Sequence, residues 1–285
     1  MPVDLHTHSN RSDGSDTPEE LIAHAAQARL RAVALTDHDT LAGTPAAEQA
    51  ARHHRLELVP GIEISCRWET GTMHMLVLFL YPGSGPLQER LVELEGWRAT
   101  RNRRLLERLR SLGIDISMEE VVAEAGGQGL GRPHFAAVMV RKGVVPDFSA
   151  AFRDFLAKGK PAYVDRERLA PEEAISLARA SGAVPVVAHP HTMTLSPEAL
   201  GEVLTRLKEA GLLGLECYYS DYLPEERLRL VELARTVGLV PSGGSDYHGS
   251  YKPWLGLGVG QGDLLVPDEV LEELHEARRE ALAAV

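Results

Sequence analysis

Apolar side chains recur along the 285-residue chain in two rhythms that predict an alternation of strands and helices. Short apolar runs predict strands at 3–8, 32–37, 56–65, 74–81, 184–189, 212–219 and 239–243. The amphipathic stretches between them predict helices, and the first begins with Thr17, Pro18 and Glu20, a capping-box pattern. Strands that alternate with helices predict an α/β fold with a mainly parallel sheet, and seven strands in this length favour a barrel.

One region of the chain interrupts this alternation. From about 86 to 168 the pattern is helical, with predicted helices at 119–125 and 133–142, until a strand-like stretch, KPAYV, at 160–164. We therefore predict a distorted (βα)7 barrel domain formed by 1–85 and 169–285. The segment 86–168 is expected to form a helical insertion domain that caps the barrel and shapes its pocket.

Polar, metal-competent side chains stand where the predicted strands end. His6 and His8 are two positions apart in the first strand and therefore point to the same side. His74 instead begins its strand, and the connection 66–73 is too short for a helical crossover, so a return strand would place His74 near Glu63. A bulged parallel arrangement would serve equally well. Active sites of parallel barrels lie at the C-terminal ends of the strands, where most of these side chains collect.

The ligand set comprises nine candidates: His6, His8, Asp13, His38, Glu63, His74, His189, Asp246 and His248. Nine ligands are too many for one ion and suit two to three divalent ions that share a carboxylate. Imidazole and carboxylate without thiolate favour Mn, Fe or Zn, and Mn is the expected ion. Such a centre is typical of hydrolysis, most naturally of a phosphate ester. Asp4, Asp37 and Asp39 are expected to orient the imidazoles from behind.

Composition and charge narrow the class of protein. The chain is 44% hydrophobic, its longest clearly apolar run is 75–81, and no basic and apolar leader precedes the first strand, so we expect no membrane partner. Two cysteines make a disulfide framework unlikely and fit a cytoplasmic protein. The net charge of −11 argues against a general nucleic-acid coating protein. Six arginines lie within 97–110, and this local positive charge is compatible with binding of a nucleotide or a short RNA.

The motifs DLHTHS, SDG, LTDHD, GIEIS, AHP and GSDYHG resemble, in order, those of the PHP (polymerase and histidinol phosphatase) family. GRPHFA and KGKPAYV resemble the branch of nucleoside 3′,5′-bisphosphate phosphatases and 5′→3′ oligoribonucleases. The resemblance implies a distorted seven-stranded barrel with three ions. It implies a first ion held by His6, His8, Glu63 and Asp246, a second by Glu63, His74 and His189, and a third by Asp13, His38 and His248.

The resemblance also implies substrate contacts. Arg132 and His134 would reach in from the insertion as catalytic residues that grip a phosphate, and Arg132 suits bidentate recognition. Lys160 is a candidate for contact with a second phosphate, although a solvated loop position is an equal alternative. His191 replaces the glycine that often follows AHP in this family. It is either an extra phosphate contact or an exposed loop residue.

The expected function is hydrolysis of nucleotide phosphomonoesters, such as the 3′-phosphate of pAp, and of 5′-phosphorylated short RNA ends, by a metal-bridging hydroxide. The partner is thus a nucleotide or short oligoribonucleotide, and no stable protein partner is implied. A histidinol-phosphate phosphatase is one alternative, because the metal-binding motifs do not determine which alcohol carries the phosphate ester. An amidohydrolase-type C–N hydrolase is another, although no lysine stands at a predicted strand end. A non-catalytic metal module is least expected, since the motifs are complete.

Overall fold

Seven strands form the central sheet of this computed structural model, which describes residues 1–125, 130–165 and 167–283. The strands follow one another in chain order: β1 (Val3–Asp4), β2 (Ala32–Leu35), β3 (Glu57–Cys66), β4 (Met73–Leu78), β5 (Val184–Ala188), β6 (Gly214–Tyr219) and β7 (Val240–Gly244). The first and last strands also meet, because Leu5 N donates to Gly243 O over 3.1 Å and Asp246 N donates to His6 O over 2.9 Å. The predicted distorted (βα)7 barrel is confirmed.

Ten α-helices surround or cover this barrel within the described residues. They are α1 (Pro18–Gln27), α2 (Thr44–His54), α3 (Pro86–Ser111), α4 (Met118–Glu124), α5 (Arg132–Arg141), α6 (Phe148–Ala151), α7 (Pro171–Ala180), α8 (Pro197–Glu209), α9 (Pro224–Val237) and α10 (Glu269–Ala283). The predicted capping box of α1 is present: Thr17 Oγ1 accepts from Glu20 N, and Glu20 Oε2 accepts from Thr17 N. None of these helices is long and apolar enough to cross a membrane.

One strand runs against the others. β4 is antiparallel to both β3 and β5, whereas the remaining neighbours pair in parallel. His74 pairs with Ser65 on one side and with Ala188 on the other. The start of β4 therefore lies at the end of the barrel where β3 and β5 finish, as the return-strand alternative predicts.

The closing seam of the barrel depends on a glycine. A Cβ added at Gly244 would lie 2.4 Å from the Cβ of His6, so a side chain there would push β7 away from β1. The close approach brings Asp246, two residues later, beside the histidines of the first strand. β1 itself is shorter than the predicted 3–8, and only an isolated bridge between Thr7 and Tyr247 continues it.

The inserted segment has its own apolar core. α3 begins against the barrel core through Leu87 and Leu91, and its second half packs against Phe135 and Met139 of α5. One helix thus belongs to both cores, and the division at 86 and 168 stays a prediction.

The prediction of a strand at 160–164 is wrong. Ala162 N donates to Phe155 O and Tyr163 N donates to Lys160 O, so the backbone turns here. Gly159 has a φ of 81°, and Pro161 has no N–H to offer a neighbouring strand. A π-helix at Phe152–Leu156 precedes this turn.

We expect Phe135→Ala to lower the free energy of unfolding by about 3–5 kcal/mol, because it empties a fully buried site in the inserted core. Urea denaturation followed by circular dichroism measures this loss. Val92→Ala on α3, where the side chain is 70% exposed, is the control and should change the free energy by less than about 0.5 kcal/mol. Equal effects of the two substitutions would contradict this account of the inserted core.

Candidate metal centre

Glu63, on β3, lies at the centre of a cluster of imidazoles and is only 1% exposed. Its Oε1 is 2.9 Å from Nδ1 of His74 and 2.9 Å from Nε2 of His189. Its Oε2 faces three more rings, with the nearest nitrogens of His6, His8 and His38 at 3.4, 3.3 and 3.2 Å. A carboxylate whose two oxygens face different sets of histidines has the geometry of a bridging ligand.

Asp246 divides its two oxygens between the protein and the cluster. Oδ2 accepts from the Tyr219 hydroxyl over 2.8 Å and from Lys252 Nζ over 2.6 Å. Oδ1 points toward the first strand, 3.5 Å from His6 Nε2 and 3.4 Å from His8 Nε2. The backbone of Asp246 has a φ of 56°, an uncommon conformation for a residue with a side chain, and it directs the carboxylate inward.

Asp13 holds the third part of the cluster, in the loop after β1. Its carboxylate oxygens lie 3.5 Å from His8 Nδ1, 3.5 Å from His38 Nε2 and 3.4 Å from His248 Nε2. His38 also contacts Glu63, so it stands between the two carboxylates. All nine predicted ligands are therefore gathered at one end of the barrel.

The residues fit divalent ions. Four groups of three place their ligand atoms within 4.8 Å of one another: His6–Glu63–His189, His6–His8–Asp246, His8–His38–Glu63 and His8–Asp13–His248. The buried His8 Nδ1 has no hydrogen-bond partner among the described residues, and a buried polar atom of this kind points to an absent ligand. The donors are imidazoles and carboxylates, the set preferred by Mn, Fe and Zn.

Burial and charge set the protonation of the cluster in the metal-free protein. Burial alone would raise the pKa of Glu63, but His38, His74 and His6 hold that pKa well below its usual range. Burial lowers the pKa of His38 to about 4, so its imidazole is neutral at pH 7 and able to ligate. Burial also opposes charge on His8, yet hydrogen bonds with Asp246 and Glu63 outweigh it and raise its pKa to about 9.

Glu216 supports the cluster from behind. Its Oε1 accepts from Nδ1 of His6 over 2.8 Å, and its Oε2 accepts from the backbone N–H of His189 over 2.6 Å. The first bond leaves Nε2 of His6 facing the centre as the ligand atom. Glu216 and Tyr219 both lie in the last part of the predicted strand 212–219, which is the sequence signal for them, whereas Lys252 lies in no predicted strand.

Three other carboxylates bind hydroxyl, amide and guanidinium groups. Asp4 accepts from Ser245 N and Oγ and from Gly258 N, and Asp37 accepts from the hydroxyls of Ser9 and Ser12. Asp39 pairs with Arg98 over 2.6 Å. These bonds fasten loops and a helix of the insertion, and the expectation that the three carboxylates orient imidazoles stays a prediction.

A cavity of about 400 Å³ opens above the cluster, within the size range of small-molecule sites. The barrel side contributes the candidate ligands together with Lys252, Tyr251 and Trp254, and the insertion contributes the arginines and the remaining rings. The cationic lining residues are Arg98, Arg101, Arg132, Arg168 and Lys252, and the aromatic ones are Phe148, Phe152, Tyr163, Tyr251 and Trp254. This distribution suits an anionic ligand with a flat apolar part.

The four candidate substrate contacts occupy different places. Arg132 lines the cavity, donates from Nη1 to Leu156 O over 3.2 Å and lies 5.6 Å from the ring centre of Tyr163. His134 is buried, and its Nδ1 accepts from Gly131 N over 3.1 Å. Lys160 and His191 are exposed and stand outside the cavity lining, with His191 Nδ1 3.0 Å from the Tyr222 hydroxyl.

This barrel and its buried imidazole–carboxylate centre define a metal-dependent hydrolase. The PHP domain model matches residues 4–101. Over 257 residues the chain is 35% identical to the 5′-3′ exoribonuclease Rnm of Salmonella typhimurium, covering 90% of this chain and 87% of the relative. The chain belongs to the PHP family of metal-dependent phosphoesterases.

Two further similarities agree with this family. A 3′,5′-nucleoside bisphosphate phosphatase of Chromobacterium violaceum is 30% identical over 247 residues, covering 86% of this chain and 87% of the relative. A crystal structure from Bifidobacterium adolescentis, assigned to the metal-dependent phosphoesterases, superposes with a TM-score of 0.85 at 32% identity. That match covers 97% of this chain and 98% of the other, so the insertion is included.

We expect Glu216→Gln to weaken Mn²⁺ binding by about 10–100-fold, because it removes the charge that orients and polarises the His6 ring. Isothermal titration calorimetry of the metal-free protein measures the change. Glu202→Gln, an exposed carboxylate on α8, is the matched control and should bind Mn²⁺ like the wild type. Unchanged affinity in Glu216→Gln would remove this residue from the support of the centre.

We also expect Mn²⁺ binding to release protons at pH 7.5 and fewer at pH 9.5. A pKa of about 9 keeps His8 protonated at the lower pH in the metal-free protein, and a metal ligand must be neutral. Calorimetric titrations in buffers of different ionisation enthalpy count the protons released. A release that stays the same between the two pH values would contradict the raised pKa of His8.

Proposed function

We propose that this chain removes the 3′-phosphate from nucleoside 3′,5′-bisphosphates such as pAp and cleaves 5′-phosphorylated short RNA ends. The observation that carries this proposal is a cluster of nine candidate ligands that faces arginines of the insertion across a cavity of about 400 Å³. A substrate with one phosphate at the centre and another near the arginines would use both walls. The names of two relatives, an exoribonuclease and a bisphosphate phosphatase, support the same substrate class.

The proposed ion assignment is the one that the family resemblance implies, and the contacts of Glu63, Asp246 and Asp13 with these histidines support it. His6, His8, Glu63 and Asp246 would hold one ion, Glu63 with His74 and His189 a second, and Asp13 with His38 and His248 a third. Mn²⁺ is the proposed ion, with Fe and Zn as alternatives that share this ligand set. Bound ions would supply an activated water and neutralise charge on the phosphoryl oxygens.

The insertion would bind and orient the substrate. Arg132 offers a planar guanidinium on the cavity wall, and contact with the Tyr163 ring holds it in place. Burial lowers the pKa of His134, so its imidazole is neutral at pH 7. Because Nδ1 accepts from Gly131 N, the single proton is on Nε2. His134 is buried and is not among the residues that line the cavity, so it would act by fixing the start of α5 beside Arg132, with its Nε2–H as the donor that it could offer a bound phosphate.

The competing functions differ in what the cavity must hold. Histidinol phosphate carries only one phosphate, so the arginines that line the cavity would have no anion to bind. A C–N hydrolase of the amidohydrolase kind would need a lysine that ligates the ions, whereas Lys252 donates to Asp246 Oδ2. A non-catalytic module has no need of a ligand set as complete as this one. Lys160 and His191 remain proposed contacts for a longer substrate, and a cytoplasmic location remains an expectation.

We expect the wild-type protein with Mn²⁺ to convert pAp to 5′-AMP and inorganic phosphate, and Glu63→Gln to lose more than about 100-fold in kcat/KM. The reason is that Glu63 contacts five imidazoles, and even indirect support of a metal costs about 10–100-fold when removed. Chromatography of the products together with a phosphate assay measures both.

The same assay separates the alternatives. Histidinol phosphate and a dihydro-cyclic amide are tested in parallel, and Glu202→Gln should match the wild type on every substrate. Turnover of histidinol phosphate alone would overturn the substrate class while keeping the phosphoesterase chemistry. Turnover of the amide alone would overturn both.

A further inference from the structure

Trp254 is the exposed member of the chain's three tryptophans. Trp68 and Trp97 are partly buried and pack against the barrel core. Trp254 lines the cavity above the metal centre, yet 62% of it is exposed. An indole at the rim of a polar site combines a large apolar face with little conformational freedom, which suits contact with a flat ligand.

The backbone that carries Trp254 is fastened on both sides. Before it, Ser250 N donates to Ser15 Oγ over 2.8 Å, and Lys252 Nζ donates to Asp246 Oδ2 over 2.6 Å. After it, Leu255 is buried and Gly258 N donates to Asp4 Oδ2 over 2.8 Å. The indole therefore projects from a fixed segment, so a ligand that stacks on it does not have to order a loop.

Trp254 lies on the part of the cavity rim that is next to the metal centre. Lys252, two residues earlier, contacts Asp246 of the metal centre, so the rim at Trp254 adjoins the centre. Farther along the wall, the rings of Tyr251 and Phe148 lie parallel to within 23°, with centroids 6.1 Å apart. Aromatic faces beside cationic side chains are the usual means of holding single-stranded nucleic acid.

We propose that Trp254 is a stacking platform for the base of the second nucleotide of a 5′-phosphorylated RNA end. This inference rests on the function proposed above. In pAp and in RNA the same bond breaks, between phosphorus and the 3′ oxygen of the first nucleotide. Water gives a hydroxyl to phosphorus and a proton to that oxygen. In RNA the second nucleotide stays attached to the phosphoryl group. A cavity that holds one nucleotide would leave this second nucleotide at the rim.

The test compares Trp254→Ala with the wild type on pAp and on the dinucleotide pApA. Loss of a base–aromatic stack should lower kcat/KM on pApA by about tenfold. Turnover of pAp, which has no second base, should fall much less than turnover of pApA. Trp254→Phe should retain most of the activity on pApA, because a smaller ring still stacks. The wild type should also disfavour a dinucleotide whose second residue is abasic by about tenfold, and Trp254→Ala should not distinguish the two.

Leu265→Ala, which removes another exposed apolar side chain outside the cavity lining, is the matched control and should act like the wild type. An equal loss on pAp and pApA in Trp254→Ala would overturn the platform. An unchanged ratio of the two activities in Trp254→Ala would also overturn the platform, and so would a wild type that turns over pAp but not pApA. Either result leaves the bisphosphate function intact. A wild type inactive on both substrates would overturn the proposed function and this inference with it.

Discussion

The structure depends on the burial of one carboxylate among five imidazoles. Glu63 is almost fully buried, and the five rings that it contacts come from four separate segments of the chain at the barrel end. Burying so many titratable groups is unfavourable unless each is paired or binds a cation. Asp13 and Asp246 complete the pairing, and the hydrogen bonds of Glu216 and Tyr219 hold the set in place. The apolar barrel core below provides the rigid support that this arrangement needs.

The reversed strand β4 is what brings His74 beside Glu63. A parallel strand would begin at the opposite end of the barrel, and its first residue would lie far from the centre. Because β4 runs antiparallel, His74 pairs with Ser65 and Ala188 and thus sits between Glu63 and His189. The distortion of the barrel therefore adds the imidazole of His74 to those around Glu63.

The insertion and the barrel divide the work of the site. The barrel supplies imidazoles and carboxylates, the insertion supplies guanidinium groups, and both contribute aromatic rings to the same cavity. Arg98 on α3 connects the two, because it pairs with Asp39 directly beside His38. Since α3 also spans both apolar cores, the position of the arginine wall relative to the centre is set by helix packing as well as by this ion pair.

Local patterns determined the alternation of strands and helices, the capping box at Thr17 and the nine residues of the centre, because periodicity and strand ends are properties of neighbouring positions. The return strand at His74 followed from the length of a single connection. Tertiary structure decided what depends on residues far apart in the chain. Tyr219 reaches Asp246, and Asp4 holds Ser245 and Gly258, through contacts that no local pattern encodes. The turn at 160–164 reads as a strand in isolation, but it packs back on the π-helix before it.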